Sequence, residues 1–397
     1  LAVIRRTPMH PWHEEAGAVF EDVGQWKRPL YYPRGQENKK SATARECQAV
    51  RDAVGIFDAS TLGKIEVKGP DAATFLERVY TNRWQKLKPG SCRYGIMLRD
   101  DGMIFDDGVT ARLADDHFLM TTTSGGAAAV FGHLEEYLQT EWPDLQVYLT
   151  SVTEQWATVS LAGPKARALL AELCEDELSA AAFPFMRFID TKVAGIEARL
   201  FRISFTGDLS YEINVPADYG LQLWTVLMTA GRKYGITPYG TEAMHVLRAE
   251  KGFIIVGQDT DGSMTPSDMG MDGLVRLEKP DFIGKRALSR PDMALAERKQ
   301  FVGLLSEDPE AVLPEGAQLI SEANQKAGAK QPLAMEGHVS SSYWSPACGR
   351  SIALALVKGG RARYGERLFT QLVDGQAMAC TVTEPLFFDP EGLRQHA

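Results

Sequence analysis

The chain has 397 residues, 44% hydrophobic and 24% charged, too long for one hydrophobic core and suited to two or three domains. A net charge of −9 excludes the broad basic surface that phosphate backbones require, so no nucleic-acid partner is expected. The five cysteines are far apart and form no C-x-x-C pair, which excludes a disulfide framework and a structural zinc site.

No apolar run approaches the roughly 20 residues of a membrane span and no stretch reads as a signal peptide, so a cytoplasmic chain is expected. Residues 41–54 have helical spacing, with Ser41 or Thr43 as the cap. The alternation in Gly63-Lys64-Ile65-Glu66-Val67-Lys68-Gly69 predicts a half-buried strand, and a helix follows Pro70. Residues 94–98 and 103–112 read as a hairpin about Asp100-Asp101-Gly102, since an Asp-Gly pair supplies what a tight turn needs. A strand at 117–123 leads through Gly125-Gly126 into a helix ending near Thr140. A strand at 156–162, Gly163-Pro164 and a helix at 165–174 then repeat the order of Val67-Lys68-Gly69-Pro70 and its helix, which predicts two similar α+β lobes. Strands at 192–205 and 211–215 follow, then helices at 219–234 and 241–251, the second ended by Gly252. Beyond about residue 290, strands at 300–305, 351–357, 367–372 and 377–382 predict a small β-barrel, with a loop at 324–330.

No G-x-G-x-x-G opens a βαβ unit, and P-loop, H-E-x-x-H and G-x-S-x-G motifs are missing from the sequence. His10 and His13 lie beside Glu14 and Glu15 in a metal-like cluster. Pro11 argues against a regular helix there and no second His/Cys pair has ligand spacing, so the cluster is read as structural.

The chemical signal lies at Asp101-Gly102-Met103-Ile104-Phe105-Asp106-Asp107-Gly108-Val109. Strand alternation puts Met103, Phe105, Asp107 and Val109 on one face, so Asp107 interrupts an apolar stripe. A carboxylate there needs a partner, and two readings stand: a ligand's N–H, or backbone amides in a turn.

This segment resembles the Gly-Gly-x-x-Asp-Asp motif of the glycine cleavage T-protein (aminomethyltransferase) family. Gly102 and Asp106-Asp107 match, and Asp101 replaces the other glycine. The resemblance continues in order along the chain. Arg6-Thr7-Pro8 with His13 is similar to the family's opening, and Gly55-Ile56-Phe57-Asp58-Ala59-Ser60 to its Phe-Asp-x-Ser motif. Phe205-Thr206-Gly207-Asp208 and Tyr211-Glu212-Ile213 resemble its Tyr-Thr-Gly-Glu segment and later Glu. Leu247-Arg248-x-Glu250-x-Gly252, Thr265-Pro266, Asp281-Phe282-Ile283-Gly284-Lys285, Gly337-His338-Val339-Ser340-Ser341 and Ser345-Pro346 also fit.

The resemblance implies an α+β fold, a three-domain cloverleaf of two related α+β lobes plus a C-terminal β-barrel around a central folate funnel. The lobes are expected at 1–56 with 150–237 and at 57–149 with 238–290, and the barrel at 291–397. Asp107 carries over as the catalytic carboxylate beside the folate's reactive nitrogens, and Glu212 as the residue that hydrogen-bonds the pterin ring. Without the resemblance, Glu212 lies opposite Tyr211, Ile213 and Val215 and reads as part of a solvated strand face. Leu62, Tyr94, Phe205 and Thr123 are the further expected folate-binding positions, Leu62 and Tyr94 serving equally well as core residues. Phe205 stands where the family commonly has Tyr, Met244 where the T-protein has Arg, and Gly273 where it has Trp. The last two departures speak against the T-protein's own aminomethyl-lipoyl carrier.

The ending at 385–395 looks like the terminus of the folate domain in sarcosine and dimethylglycine oxidising enzymes. Residues 239–252 are similar to the α subunit of heterotetrameric sarcosine oxidase, in which this module follows a dinucleotide-binding portion. A chain opening Leu1-Ala2-Val3-Ile4 without Met agrees with a piece of such a subunit. The resemblance implies tetrahydrofolate on this chain, flavin and NAD on other parts of a complex, and other sarcosine oxidase subunits as partners. The expected reaction joins a tetrahydrofolate nitrogen to an amine-derived iminium, releasing the amine and giving 5,10-methylenetetrahydrofolate. The alternatives are a free-standing glycine cleavage T-protein, a folate-dependent demethylase, and a non-enzymatic folate-binding iron–sulfur assembly factor. The last group's Lys-Gly-Cys motif is here Lys251-Gly252-Phe253, without a thiol.

Overall fold

In the computed structural model, which describes residues 5–326, 333–371 and 377–397, the chain divides into two compact units. The first takes the chain up to Gly95, Asp106–His245 and Glu391–Ala397; the second takes Ile96–Phe105 and Val246–Pro390.

The first unit opens with α1 (His10–Glu15), the hairpin β1 (Val19–Val23) and β2 (Trp26–Tyr31), and α2 (Lys39–Asp52). Pro11 does not prevent α1, contrary to the sequence expectation. It lies in the first turn, where its missing N–H has no intrahelical acceptor in any case. The cap of α2 is Asn38, neither Ser41 nor Thr43. Asn38 Oδ1 accepts from the Ser41 N–H and Ser41 Oγ accepts from the Asn38 N–H, each at 3.0 Å, so two otherwise unpaired donors are satisfied reciprocally.

Two copies of one α+β pattern follow. The first comprises β3 (Gly55–Asp58), β4 (Gly63–Lys68), α3 (Ala72–Val79), β5 (Ser91–Leu98), β6 (Ile104–Ala114), β7 (His117–Thr122), α4 (Ala127–Thr140) and β8 (Tyr148–Ser151). The second comprises β9 (Trp156–Ala162), α5 (Ala166–Leu170), β10 (Arg187–Val193), β11 (Ile196–Arg202), β12 (Ser210–Pro216), α6 (Gly220–Ala230) and β13 (Thr237–Pro238), after which comes α7 (Thr241–Glu250). Their strands form a single sheet in the order β13-β3-β9-β12-β11-β10-β5-β6-β7-β4-β8. Outward from the β10–β5 contact, β10-β11-β12-β9 on one side mirrors β5-β6-β7-β4 on the other.

The duplication expected from the Gly-Pro steps therefore reaches the backbone. Gly69 and Gly163 have φ of +131° and +129°, where side chains are strained. A Cβ would sit 2.1 Å from the Gln146 carbonyl oxygen at the first and 2.5 Å from that of Val50 at the second. Each glycine carbonyl then accepts from the first residue of its helix, Ala72 at 2.9 Å and Ala166 at 3.0 Å.

Two expected elements differ. The helix at 165–174 stops at Leu170 because Cys174 leaves it to bridge Val193. The strand region at 192–205 is the second half of a hairpin, β10 with β11, joined by Ala194 and Gly195, both at positive φ as a two-residue turn demands.

The second unit contains the expected barrel. Strands β14 (Lys299–Ser306), β15 (Gln318–Ser321), β16 (Gly337–Ser345), β17 (Arg350–Lys358), β18 (Arg367–Gln371) and β19 (Ala377–Thr383) close in the order β14-β17-β16-β15-β18-β19. Alternate residues fill it, among them Val302, Leu304, Ala353, Ala355 and Val357. Residues 324–326 belong to a short helix (Glu322–Lys326) rather than the expected loop. The rest of that loop, Leu372 and the opening Leu1-Ala2-Val3-Ile4 lie outside the described residues.

Several motifs of the sequence are structural ties within this unit. Fully buried Arg248 pairs with Asp259 and donates to Ser341 Oγ at 2.7 Å, while Asp259 Oδ1 accepts from Ser340 at 2.6 Å and Ser341 at 2.8 Å. Ser345 donates to Glu250 at 2.6 Å, and the Glu250 carbonyl accepts from the Phe387 and Phe388 amides, holding the C-terminal segment on α7. Among the described residues no helix is long and apolar enough to cross a membrane.

Candidate active site

Strand β12 divides its side chains between two environments. Tyr211, Ile213 and Val215 are fully buried in the core between the sheet, α5 and α6. Glu212 and Asn214 point to the other face, opposite Ser160 and Thr158 of β9, with Phe201 of β11 as the other neighbour of Glu212. That face is not the solvated strand face that local alternation suggests. It forms a recess lined by Leu62, Lys64, Val109, Leu119, Thr121, Thr158, Phe201, Ile203, Glu212 and Asn214.

Glu212 is half-buried, and burial pushes its carboxyl up to about 7, with Lys64 pulling it down. It accepts no hydrogen bond from the described residues. Lys64 is buried, and burial pushes its ammonium down to about 8 against the opposing charges of Glu212 and Asp58. Its Nζ donates to the Ser60 carbonyl at 3.1 Å and the Leu62 carbonyl at 3.0 Å.

The turn that carries those carbonyls is itself anchored. Asp58 Oδ1 accepts from the Ser60 N–H at 3.0 Å, and its Oδ2 lies 3.1 Å from His13 Nε2. His13 Nδ1 lies 3.0 Å from the Tyr32 hydroxyl, and all three side chains are buried. The chain's opening and its Phe-Asp-x-Ser motif thus converge on one polar network. His10 instead pairs with Glu14 at 3.1 Å.

On β6 the alternation is as expected: Ile104 and Asp106 are buried, Phe105 and Asp107 half-buried. Tyr94 of β5 donates its hydroxyl to Asp107 Oδ2 at 2.5 Å. Burial raises the Asp107 carboxyl to about 7; the Tyr94 hydrogen bond opposes the rise and the Asp106 charge adds to it. Burial, followed by the Asp107 and Asp106 charges, holds the Tyr94 phenol well above its ordinary range. Asp106 is raised by burial to about 6, opposed by the Asp107 amide at 2.8 Å, the Thr123 amide at 3.4 Å and the Thr123 hydroxyl at 3.2 Å. Of the adjacent pair, Asp106 is tied to backbone and Thr123, whereas Asp107 has Tyr94 and an ionisation poised near neutrality, which suits proton transfer.

The expected residues are thus distributed unequally. Asp107 and Tyr94 touch; Leu62 and Glu212 line one recess; Thr123 serves Asp106 and, through Oγ, the Gly126 amide at 3.1 Å. Phe205 is 39% exposed and lies outside the recess lining. Met244 is half-buried and Gly273 exposed. Asp208, beside Phe205, is buried between Arg51 and Arg394 and ties α2 to the C-terminal segment. Sequence reasoning missed Lys64, whose only signal was its position two residues beyond Leu62.

Residues 9–279 match the GCVT N-terminal domain, and residues 299–389 match the glycine cleavage T-protein C-terminal barrel domain. The chain is 56% identical over 393 residues to the sarcosine oxidase subunit alpha of Corynebacterium sp. (strain U-96), covering 98% of this chain but only 40% of that relative's length. It is 30% identical over 385 residues to the aminomethyltransferase of Thermotoga sp. (strain RQ2), covering 97% of this chain and 98% of that one. The crystal structure of the glycine cleavage system aminomethyltransferase T from Bartonella henselae superposes with a TM-score of 0.82 at 26% identity, over 97% of this chain and 98% of the other.

Proposed function

Because the chain belongs to the glycine cleavage T-protein family, we propose that it is a folate-dependent one-carbon transfer module that accepts the carbon of an amine-derived iminium. A reduced folate bound in the recess supplies the nucleophilic nitrogen, and 5,10-methylenetetrahydrofolate is the product. The observation that carries the reading is Glu212: a half-buried carboxylate that accepts from no donor among the described residues, set in a largely apolar recess. Such a group calls for a ligand with paired N–H donors, and the 2-amino-pyrimidine edge of a pterin presents them.

Glu212 orients the ring. Asp107, held by Tyr94, faces the reacting nitrogens and takes or returns a proton as the amine leaves. Leu62 and Phe201 exclude water from the ring, and the Asp106–Thr123 contact ties the start of β6, which carries Asp107, to the residue that follows β7. Amine oxidation, with its flavin and NAD, belongs to other parts of a larger sarcosine oxidase and its hetero-oligomeric partners. The 56% identity to one such subunit over 98% of this chain supports that placement.

Calorimetric titration with 5-formyltetrahydrofolate tests the reading. One site that weakens at least tenfold in Glu212→Gln is expected; equal affinity in both proteins overturns it.

A further inference from the structure

Lys64 is 1% exposed, yet its side chain lines the recess together with Glu212. An ammonium has three N–H donors. Two are directed at the carbonyls of Ser60 and Leu62, which leaves one for the recess. The hydroxyl donors around it are already committed. Thr121 donates to the Val109 carbonyl at 2.9 Å and Thr158 to Asn214 Oδ1 at 2.6 Å, while the Asn214 amide donates to the Arg199 carbonyl at 3.4 Å. Lys64 is therefore the charged donor of the recess, and Glu212 its acceptor.

The position of Lys64 is also over-determined. His13 holds Asp58, Asp58 holds the Ser60 amide, and the Ser60 carbonyl holds Lys64. On the other side, the Lys64 amide donates to Thr153 Oγ1 at 3.0 Å and its carbonyl accepts from the Val152 amide at 2.9 Å. Placing one cation with this much support exceeds what capping two carbonyls requires, since an apolar side chain would leave those carbonyls to water or backbone at less desolvation.

We propose that Lys64 is a specificity-determining residue of the recess, donating its third N–H to a ring carbonyl of the ligand beside the N–H groups taken by Glu212. This rests on the folate reading and sharpens it. The pair reads a donor–donor–acceptor edge, the edge of a 2-amino-4-oxo pyrimidine. A 4-amino ring turns the acceptor at that position into a donor and sets it against the ammonium. The site then selects 4-oxo folates and rejects their 4-amino-4-deoxy counterparts.

The test is calorimetry on the full-length protein with 5-formyltetrahydrofolate and its 4-amino-4-deoxy counterpart, in wild type and Lys64→Met. Wild type is expected to prefer the 4-oxo ligand by roughly 10- to 100-fold or more, as one charge-assisted hydrogen bond gained against one donor clash implies. Lys64→Met is expected to lose most of that preference, through weaker 4-oxo binding. A wild-type preference below about threefold overturns the assignment without any variant. A preference unchanged in Lys64→Met overturns it too, provided 5-formyltetrahydrofolate still binds through Glu212. No binding of 5-formyltetrahydrofolate to wild type overturns the folate reading and this assignment together.

Discussion

The Tyr94 hydroxyl lies 2.5 Å from Asp107 Oδ2, so a phenol from β5 is the side-chain donor to the carboxylate on which the proposed chemistry turns. Burial raises that carboxyl to about 7 and the hydrogen bond restrains the rise. Tyr94→Phe is expected to push it higher by roughly 1–2 pH units, the equivalent of one hydrogen bond to a charged group. The acid limb of the rate of 5,10-methylenetetrahydrofolate formation then moves to higher pH. A limb that stays in place separates Tyr94 from the ionisation of Asp107.

On the proposed reading, Asp107→Ala removes the proton carrier and leaves amine oxidation, assigned to other parts of a larger protein, untouched. In the full-length protein with its partners, methylenetetrahydrofolate formation is expected to fall roughly 10²- to 10⁴-fold, the usual contribution of a positioned acid or base. Amine consumption is expected to stay nearly constant, the one-carbon unit appearing as formaldehyde. Parallel measurement of both products decides, and an equal fall in the two rates contradicts the assignment.

The position of Asp107 on its strand was legible because strand alternation is local: two-residue periodicity alone sets a carboxylate into an apolar stripe, and the neighbouring Asp-Gly turn fixes the hairpin. Lys64 was not legible for the opposite reason. Alternation groups it with Glu66 and Lys68, and in the structure Lys68 is exposed and Glu66 half-buried. Glu66 and Lys68 pair with β7 and β8 as well; Lys64 differs because its Nζ folds back onto the Ser60 and Leu62 carbonyls, in a turn that Ser60 ties to Thr158 of β9. Which strands flank a residue at its own level is a property of sheet order, and this sheet joins β4 to β7 and β8 across long sequence separations. The same holds for Glu212, whose polar face looks solvent-directed until β9 and β11 close around it. The barrel was readable from its short strands, but β16 was hidden by its serines, two of which donate to Asp259 ahead of the barrel strands.

The raised carboxyl also predicts a stability trade-off. Asp107 shifts from 3.8 to about 7 on folding, so below about pH 4 it is protonated in both states and the penalty is nil. Between pH 4 and 7 the unfolded chain ionises first, and stability is lost until the penalty is complete above pH 7. Asp107→Asn, which keeps an acceptor for Tyr94, removes the penalty. It is expected to gain on the order of 2 kcal/mol at pH 8, after allowance for the solvent reaching a half-buried group, and nothing at pH 3.5. Urea unfolding at the two pH values measures this; a gain independent of pH assigns the effect to packing instead.

The paired glycines give a prediction about the fold itself. Gly163→Ala must place a Cβ in a backbone conformation side chains rarely adopt, 2.5 Å from the Val50 carbonyl oxygen and 2.6 Å from that of Ala53, both rigid backbone atoms. Strain and clash together are expected to cost about 3 kcal/mol or more. Gly132 offers the control: it is exposed within α4, with nothing within 4 Å of an added Cβ. Gly132→Ala is therefore expected to stabilise by roughly 0.5–1 kcal/mol through helix propensity. Because Gly69 has the same φ and a Cβ there lies 2.1 Å from the Gln146 carbonyl oxygen, Gly69→Ala should match Gly163→Ala in denaturant midpoint shift. If one of the two proves neutral while the other unfolds the protein, the two halves of the sheet do not share the backbone step that their Gly-Pro sequences indicate.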